Sequence, residues 1–461
     1  MSDQVVTNTG EVIIMTLYVR MAKYYAYFKR DLLETAKISF PILISLSFSI
    51  LSGVIDTVVL GRFSILALSS AVIGTSIFVI FVTAVNGLLR SMIPQYFSAS
   101  DSREKARVVF NVGALALCVS TALCLIIVNL KSFLFFFGFE IELSAHAYNY
   151  LKILMWGLIP LSLSMVVTNL FIVSKYTKPL LKISVLSFLV NVLITVPLVF
   201  GLTGGEPMGE KGAAVGTVLS YIFSLTYGML LYVRQFGGRG PIILPVFSLS
   251  TLRQSFIIGI PISAAVVTKF TAMSMLAIWI AQAGESYVAA FGILNNVASI
   301  VFIFPIAYGQ AQLSRLGDSD KFVSDKEAHC WLYACLLNIT LITIMVALSL
   351  YLIKSWLIRQ YTSDESVTML FENTLPLVLI AIIFDSIQAT SGIILTHFKD
   401  TFFSFISIVT GYFLVCIPAV YFFSETTSPD IVFHVYTAMV LCLFLLSILQ
   451  VARLSRMIVR A

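Results

Sequence analysis

SFPILISLSFSILSGVIDTVVLG, residues 39–61, contains a single charged side chain, Asp56. A run of that length and polarity is what a helix needs to cross a bilayer, since roughly 20 apolar residues span the hydrocarbon. The design returns 220 residues later: SFPILISLSFSI (39–50) meets GIPISAAVVTKF (259–270), with Pro41 over Pro261. The same shift lays LSSA (68–71) over VAAF (288–291) and Gln95 over Arg315. After a small loop difference REKA (103–106) matches DKEA (325–328), and VSKYTKPL (173–180) lies over LTHFKDTF (395–402) at a shift of 222. Identities are few, but order and spacing hold across six helices, which is how an internal duplication reads.

The rest of the chain has the same character. Of 461 residues, 59% are hydrophobic and 11% charged, with a mean hydropathy of +0.98; soluble domains carry about 25% charge. Spanning stretches fall near 38–60, 66–89, 107–130, 150–174, 180–200, 213–233, 255–281, 287–314, 330–353, 373–396, 402–424 and 431–452. They predict about twelve transmembrane helices rather than barrel strands, which alternate over about ten residues. The fold class expected is an all-α integral membrane protein of two six-helix bundles. Six is even, so both halves begin on the same side and the repeats are parallel, about an axis along the membrane normal. The expected organisation is an N-terminal segment (1–36), an N-lobe of helices 1–6 (37–233), an inter-lobe linker (234–253), a C-lobe of helices 7–12 (254–453) and a tail (454–461).

The net charge of +6 follows from orientation. With the N-terminus inside, 22 of the 29 Lys and Arg lie on the inner side, six on the outer side, and Lys269 within a span. Basic residues concentrate on the cytoplasmic face of membrane proteins, so both termini are expected there, in a multi-pass plasma membrane such as the bacterial inner membrane. This accounts for the positive balance without a nucleic-acid partner. Charges and aromatic residues interrupt VIIMTLYVRMAKYYAYFKR (12–30), which reads as an amphipathic helix on the inner leaflet in preference to a disordered tail, and not as a signal peptide. The glycines of VRQFGGRGP (233–241) suit either a hinge or an ordinary loop.

Several chemistries find no residues to carry them. The six cysteines lack CxxC spacing and read as small buried hydrophobes, and the four histidines are scattered. GEKGAA (209–214) lacks the Gly-Lys-Ser/Thr ending of a phosphate loop. A membrane-embedded transferase would need clustered His, Asp or Glu near an interface and has no obvious use for duplicated halves, and a signalling receptor is a weaker reading still. Elimination leaves a transporter without a cofactor, driven by an ion gradient; small organic substrates and the bilayer are its expected partners and a monomer its expected state.

Ionisable residues inside spans mark ion and substrate paths. Three stand out: Asp56 near the outer end of helix 1, Lys269 at the centre of helix 7 and Asp385 at the centre of helix 10. Asn191 and Thr195 on helix 5 are spaced i, i+4 and share a face. With Thr217 on helix 6 they form a polar cluster around Asp56, suited to holding a proton or sodium. The plainer alternative is that they hydrogen-bond between helices. Lys269 lies about 18 Å from either end of its helix, too far to snorkel, so it pairs with Asp385, releases a proton itself or binds an acidic substrate.

PILISLSFSILSGVIDTVVLGRFSILALSSA (41–71), MIPQYFSASDSREKA (92–106), NLFIVSKYTKPLLKISVLSFLVNVLITVPLVFG (169–201) and MGEKGAAVGTVLS (208–220) resemble the multidrug and toxic compound extrusion (MATE) family. So do GIPISAA (259–265), FIFPIAYGQAQLSRLG (302–317), YTSDESV (361–367) and DSIQATSGIILTHFKD (385–400). The resemblance covers about 36–450. It implies export of amphiphilic, often cationic compounds by antiport with H+ or Na+. On it, Asp56 falls on the coupling aspartate of helix 1 and Asn191 on the asparagine of the N-lobe cation site. Thr195 stands where members carry Asp or Asn, and Thr217 falls near a helix-6 threonine. Asp385 falls on a helix-10 aspartate, and Lys269 occupies a position where one branch has a glutamate. Lysine there would neutralise Asp385 and leave coupling to Asp56. The runner-up is a flippase or exporter of a lipid-linked or acidic amphiphile in the same superfamily.

Overall fold

The computed structural model describes residues 2–128, 141–202, 204–237, 247–317, 325–362, 364–423 and 430–460, with side chains from Phe28 onward except at 128, 141, 281, 285, 325, 326, 423, 459 and 460. Helices α1 (Ser2–Phe63), α2 (Ile65–Arg90), α3 (Met92–Ser98), α4 (Ser102–Val128), α5 (Ile141–Trp156), α6 (Leu158–Val173), α7 (Lys178–Phe200) and α8 (Glu210–Phe236) form the first half. Gly238 and Gly240 of the inter-lobe linker, Arg239, Lys131 and Lys321 lie outside the described residues, while Gly237 closes α8 with its N–H donating to the Val233 carbonyl at 2.8 Å. The second half holds α9 (Leu249–Ala281), α10 (Glu285–Leu316), α11 (Asp325–Leu352), α12 (Lys354–Tyr361), α13 (Glu365–Leu395), α14 (Thr401–Val409), α15 (Ile417–Phe423) and α16 (Ile431–Arg460). A π-helical turn, Thr410–Cys416, joins α14 to α15. No strand occurs among the described residues.

Among the described residues eleven helices are long and apolar enough to cross a membrane, and the α5–α6 pair, bent by 42°, makes a twelfth span. The bend has a local cause. Pro160 has no N–H to offer the preceding turn, and Gly157 lies where a Cβ would sit 2.8 Å from the Leu154 carbonyl and 3.0 Å from Tyr221. α1 runs unbroken through residue 36, so the segment expected ahead of the first span is continuous with it. In the second half the π turn admits Gly411 tightly against Leu446 and buries Tyr412 in the core.

Each lobe has its own core. One joins Leu60, Phe78, Leu89, Leu151 and Leu158 of the first half, the other Leu294, Phe371, Val378, Tyr412 and Leu446 of the second. The duplication shows in detail too. The turns after α6 and α13 each carry a lysine with positive φ, Lys175 at 54° and Lys399 at 59°, a conformation that residues with a Cβ seldom adopt.

Between the lobes, the hydrogen bonds of the described residues gather at one end. Ser263 donates to the Ala84 carbonyl at 2.8 Å, Ser314 to that of Ile172 at 2.6 Å, and the Ser248 backbone N–H to Asn111 at 2.8 Å. Gly87 and Gly259 permit the α2–α9 contact: a Cβ on Gly87 would come within 2.6 Å of the Ser263 backbone, and one on Gly259 within 2.6 Å of Leu88. These residues lie where the positive-inside pattern expects the cytoplasm.

Candidate ion and substrate sites

The first site stands on the packing of α7 against α8. Gly212 and Gly216 bring the two backbones together; a Cβ on Gly216 would lie 2.2 Å from Thr195 Oγ1 and 3.0 Å from its backbone N. That closeness carries Thr217 to α1, where its hydroxyl donates to Asp56 Oδ2 at 2.9 Å. Asn191 Nδ2 donates to Thr217 Oγ1 at 3.3 Å, and Asn191 and Thr195 both face the Asp56 carboxyl. All four residues of the expected cluster are therefore brought together. Asp56 is 8% exposed, Asn191 1% and Thr195 fully buried.

Three oxygens in this cluster, Asp56 Oδ1, Asn191 Oδ1 and Thr195 Oγ1, are buried with no hydrogen-bond partner among the described residues. Leaving a buried polar atom unsatisfied costs about 1–3 kcal/mol. A carboxylate, an amide carbonyl and a hydroxyl converging without partners form a hard oxygen set suited to a proton or a small cation. No group of three or more His, Cys, Asp or Glu with metal-binding geometry occurs among the described residues.

The second site lies in the other lobe. Lys269 Nζ on α9 donates to both oxygens of Asp385 on α13, at 2.7 and 2.6 Å. It also sits 4.3 Å from the centre of the Phe302 ring on α10, a cation–π distance. The side chains remain 27% and 14% exposed. Tyr412 is set near Asp385 by the π turn. The ammonium group at mid-span is thus held by a carboxylate and an aromatic face rather than by either membrane surface.

Some neighbours were invisible to sequence reasoning. Tyr150, hydrogen-bonded to Thr75 at 3.2 Å, and Tyr221 stand near enough to sense the Asp56 charge. His146 meets Glu210, the first residue of α8, at 2.8 Å, in the stretch read only as a failed phosphate loop. The single legible signal was spacing: His146 and Tyr150 lie one helical turn apart.

Two parallel repeats of six spans, joined at one end, with a caged carboxylate in one lobe and a charge pair in the other, define a membrane transporter. The family model described as MatE matches residues 41–196 and 255–422, one stretch in each repeat, so this chain belongs to the multidrug and toxic compound extrusion (MATE) family. It is 22% identical over 400 residues to the multidrug resistance protein MdtK of Proteus mirabilis, covering 84% of this chain and 86% of that one. It is 24% identical over 377 residues to the probable multidrug resistance protein NorM of Shewanella oneidensis, covering 79% and 81%. Among solved structures, a MOP superfamily transporter from Pyrococcus furiosus matches with a TM-score of 0.82 at 16% identity, covering 94% of this chain and 96% of that one. The eukaryotic MATE transporter AtDTX14 matches at 0.80 with 19% identity, covering 94% and 99%.

Proposed function

We propose that this chain exports amphiphilic, mainly cationic organic compounds across a plasma membrane by antiport with H+ or Na+. The two lobes alternate access to a path between them, with both termini in the cytoplasm. Asp56 takes the coupling ion, and Asn191, Thr195 and Thr217 complete its oxygen cage. The observation that carries this is the set of three converging, unpartnered oxygens at Asp56, Asn191 and Thr195. A sodium ion among all three satisfies them together, and a proton on Asp56 lets its carboxyl donate to one of the other two. The names of the relatives, multidrug resistance proteins, support the cargo class. Lys269 neutralises Asp385, so the C-lobe pair is not a second cation site.

The test is export of a fluorescent organic cation from proteoliposomes under an imposed sodium or proton gradient. Wild type is expected to respond to one gradient, and Asp56→Asn to lose that response by at least about tenfold, the effect of about 1.4 kcal/mol. A wild type that ignores both gradients rejects the reading. It would favour the second one, an exporter of acidic or lipid-linked amphiphiles held at Lys269, whose side chain stays 27% exposed. The Pyrococcus furiosus transporter, described as having a binding pocket of reverse polarity that suggests a different function, lends that alternative its weight.

A further inference from the structure

The inter-lobe contacts obey the duplication. Gln95 Nε2 on α3 donates to Ser255 Oγ on α9 at 2.9 Å. Adding 220 to Gln95 gives Arg315, and subtracting 220 from Ser255 gives Thr35; Arg315 Nη1 donates to Thr35 Oγ1. One ancestral contact is therefore kept on both arms of the molecule, but its chemistry has diverged. The first arm is an amide on a hydroxyl. The second is built around a buried carboxylate, Asp31, 3% exposed on α1.

Asp31 is held by four residues of the opposite lobe. It accepts from Tyr308 Oη at 2.8 Å, from Gln312 Nε2 at 2.9 and 3.0 Å, from Asn338 Nδ2 at 2.8 Å and from Arg315 Nη1. Arg315 Nη2 donates in turn to Glu34 Oε2 at 2.8 Å. Further along, the same helix belongs to the N-lobe: Thr177 Oγ1 donates to the Ile38 carbonyl at 3.1 Å, and Val59 and Leu60 sit in the N-lobe core. The cluster thus ties the two lobes together where alternating access must part them.

We infer that Arg315, Asp31 and Glu34 form a charged latch that keeps this end of the transporter shut and biases the resting protein toward the state open at the other end. Gln95 and Ser255 are its uncharged counterpart. The latch rests on the alternating-access reading above. Its force comes from the difference between the two states. While the end is shut, Asp31 is out of water and depends on Arg315; once the lobes part, water can solvate it. Removing the guanidinium therefore leaves an uncompensated buried charge in the shut state only, and the balance moves toward opening. Neutralising Asp31 as well removes that penalty, and the neutral Gln95 arm shows that such a contact can close without charge.

The protein carries its own reporter. Cys335 on α11 is fully buried beside Asp31 and Tyr308. In lipid nanodiscs, maleimide labelling of Cys335, read by mass spectrometry of its peptide, is expected to speed up about tenfold in Arg315→Gln, the effect of a 1.4 kcal/mol shift. It should return toward the wild-type rate in the Arg315→Gln, Asp31→Asn double variant. Spin labels at Lys182 in the N-lobe and Arg456 in the C-lobe should move apart in the single variant. If Arg315→Gln does not fold, Arg315→Lys and Glu34→Gln carry the same two measurements with smaller shifts. Unchanged labelling in a folded variant overturns the latch, and so does faster labelling with an unchanged inter-lobe distance, which would mean local loosening alone. Neither readout uses a substrate or an ion gradient, so failure of ion-coupled export leaves this test intact.

Discussion

Replacing Lys269 with glutamate would set two carboxylates face to face where one bidentate pair now stands. Partial exposure lets solvent and a cation share the new charge, so the expected loss of stability is about 2 kcal/mol, below the roughly 3–5 kcal/mol of breaking a fully buried pair. Transport by Lys269→Glu should show a several-fold change in the cation concentration for half-maximal rate. Full activity with unchanged ion dependence would count against the neutralising role. At this scale much was legible beforehand. A charge in mid-span needs a partner, and Asp385 was one of two carboxylates on offer, so polarity left the pair as one of three readings for Lys269, and the family resemblance favoured it. Asp31 was not legible. Near the end of a span a carboxylate reads as solvated, and its partners Tyr308, Gln312, Arg315 and Asn338 lie hundreds of residues along the chain.

At the scale of elements, α7 and α8 act as one unit because two glycines remove the bulk between them. Gly216→Ala places a methyl group 2.2 Å from Thr195 Oγ1 and must push the helices apart. Overpacking of this kind costs typically 1–3 kcal/mol. The expected outcome is a lower unfolding temperature together with weakened ion dependence, since Thr217 is carried away from Asp56; unaltered ion dependence would separate the helix contact from the site. The i, i+4 spacing of Asn191 and Thr195 was readable, whereas the glycine-lined approach of α8 was not, because glycine at a helix surface is also compatible with plain exposure. The bend at Gly157 and the π turn at Thr410–Cys416 were equally hidden. Both are adjustments within spans whose length and polarity are ordinary, and hydropathy does not register them.

For the whole molecule, the repeat at 220 residues gave the two lobes and their parallel sense, and it also predicts which contacts come in pairs. Gly87, where α2 meets α9, tolerates no side chain while that end is shut, since a Cβ would fall 2.6 Å from the Ser263 backbone N. Gly87→Val is therefore expected to hold the lobes apart there, lengthening inter-lobe label distances and slowing export at least about tenfold; normal export would show that the end need not close. What the repeat did not reveal is how far its two copies have drifted, one lobe keeping a caged acid and the other a Lys–Asp pair. That drift bears on stoichiometry. On the proposed scheme a single carboxylate admits one monovalent ion per cycle. Trading it for one monovalent organic cation moves no net charge, so membrane voltage adds nothing and a tenfold ion ratio sustains at most a tenfold cargo ratio. An uncharged cargo on the same cycle would draw on the voltage too, about 2.3 kcal/mol per 100 mV, which raises its ceiling roughly fiftyfold.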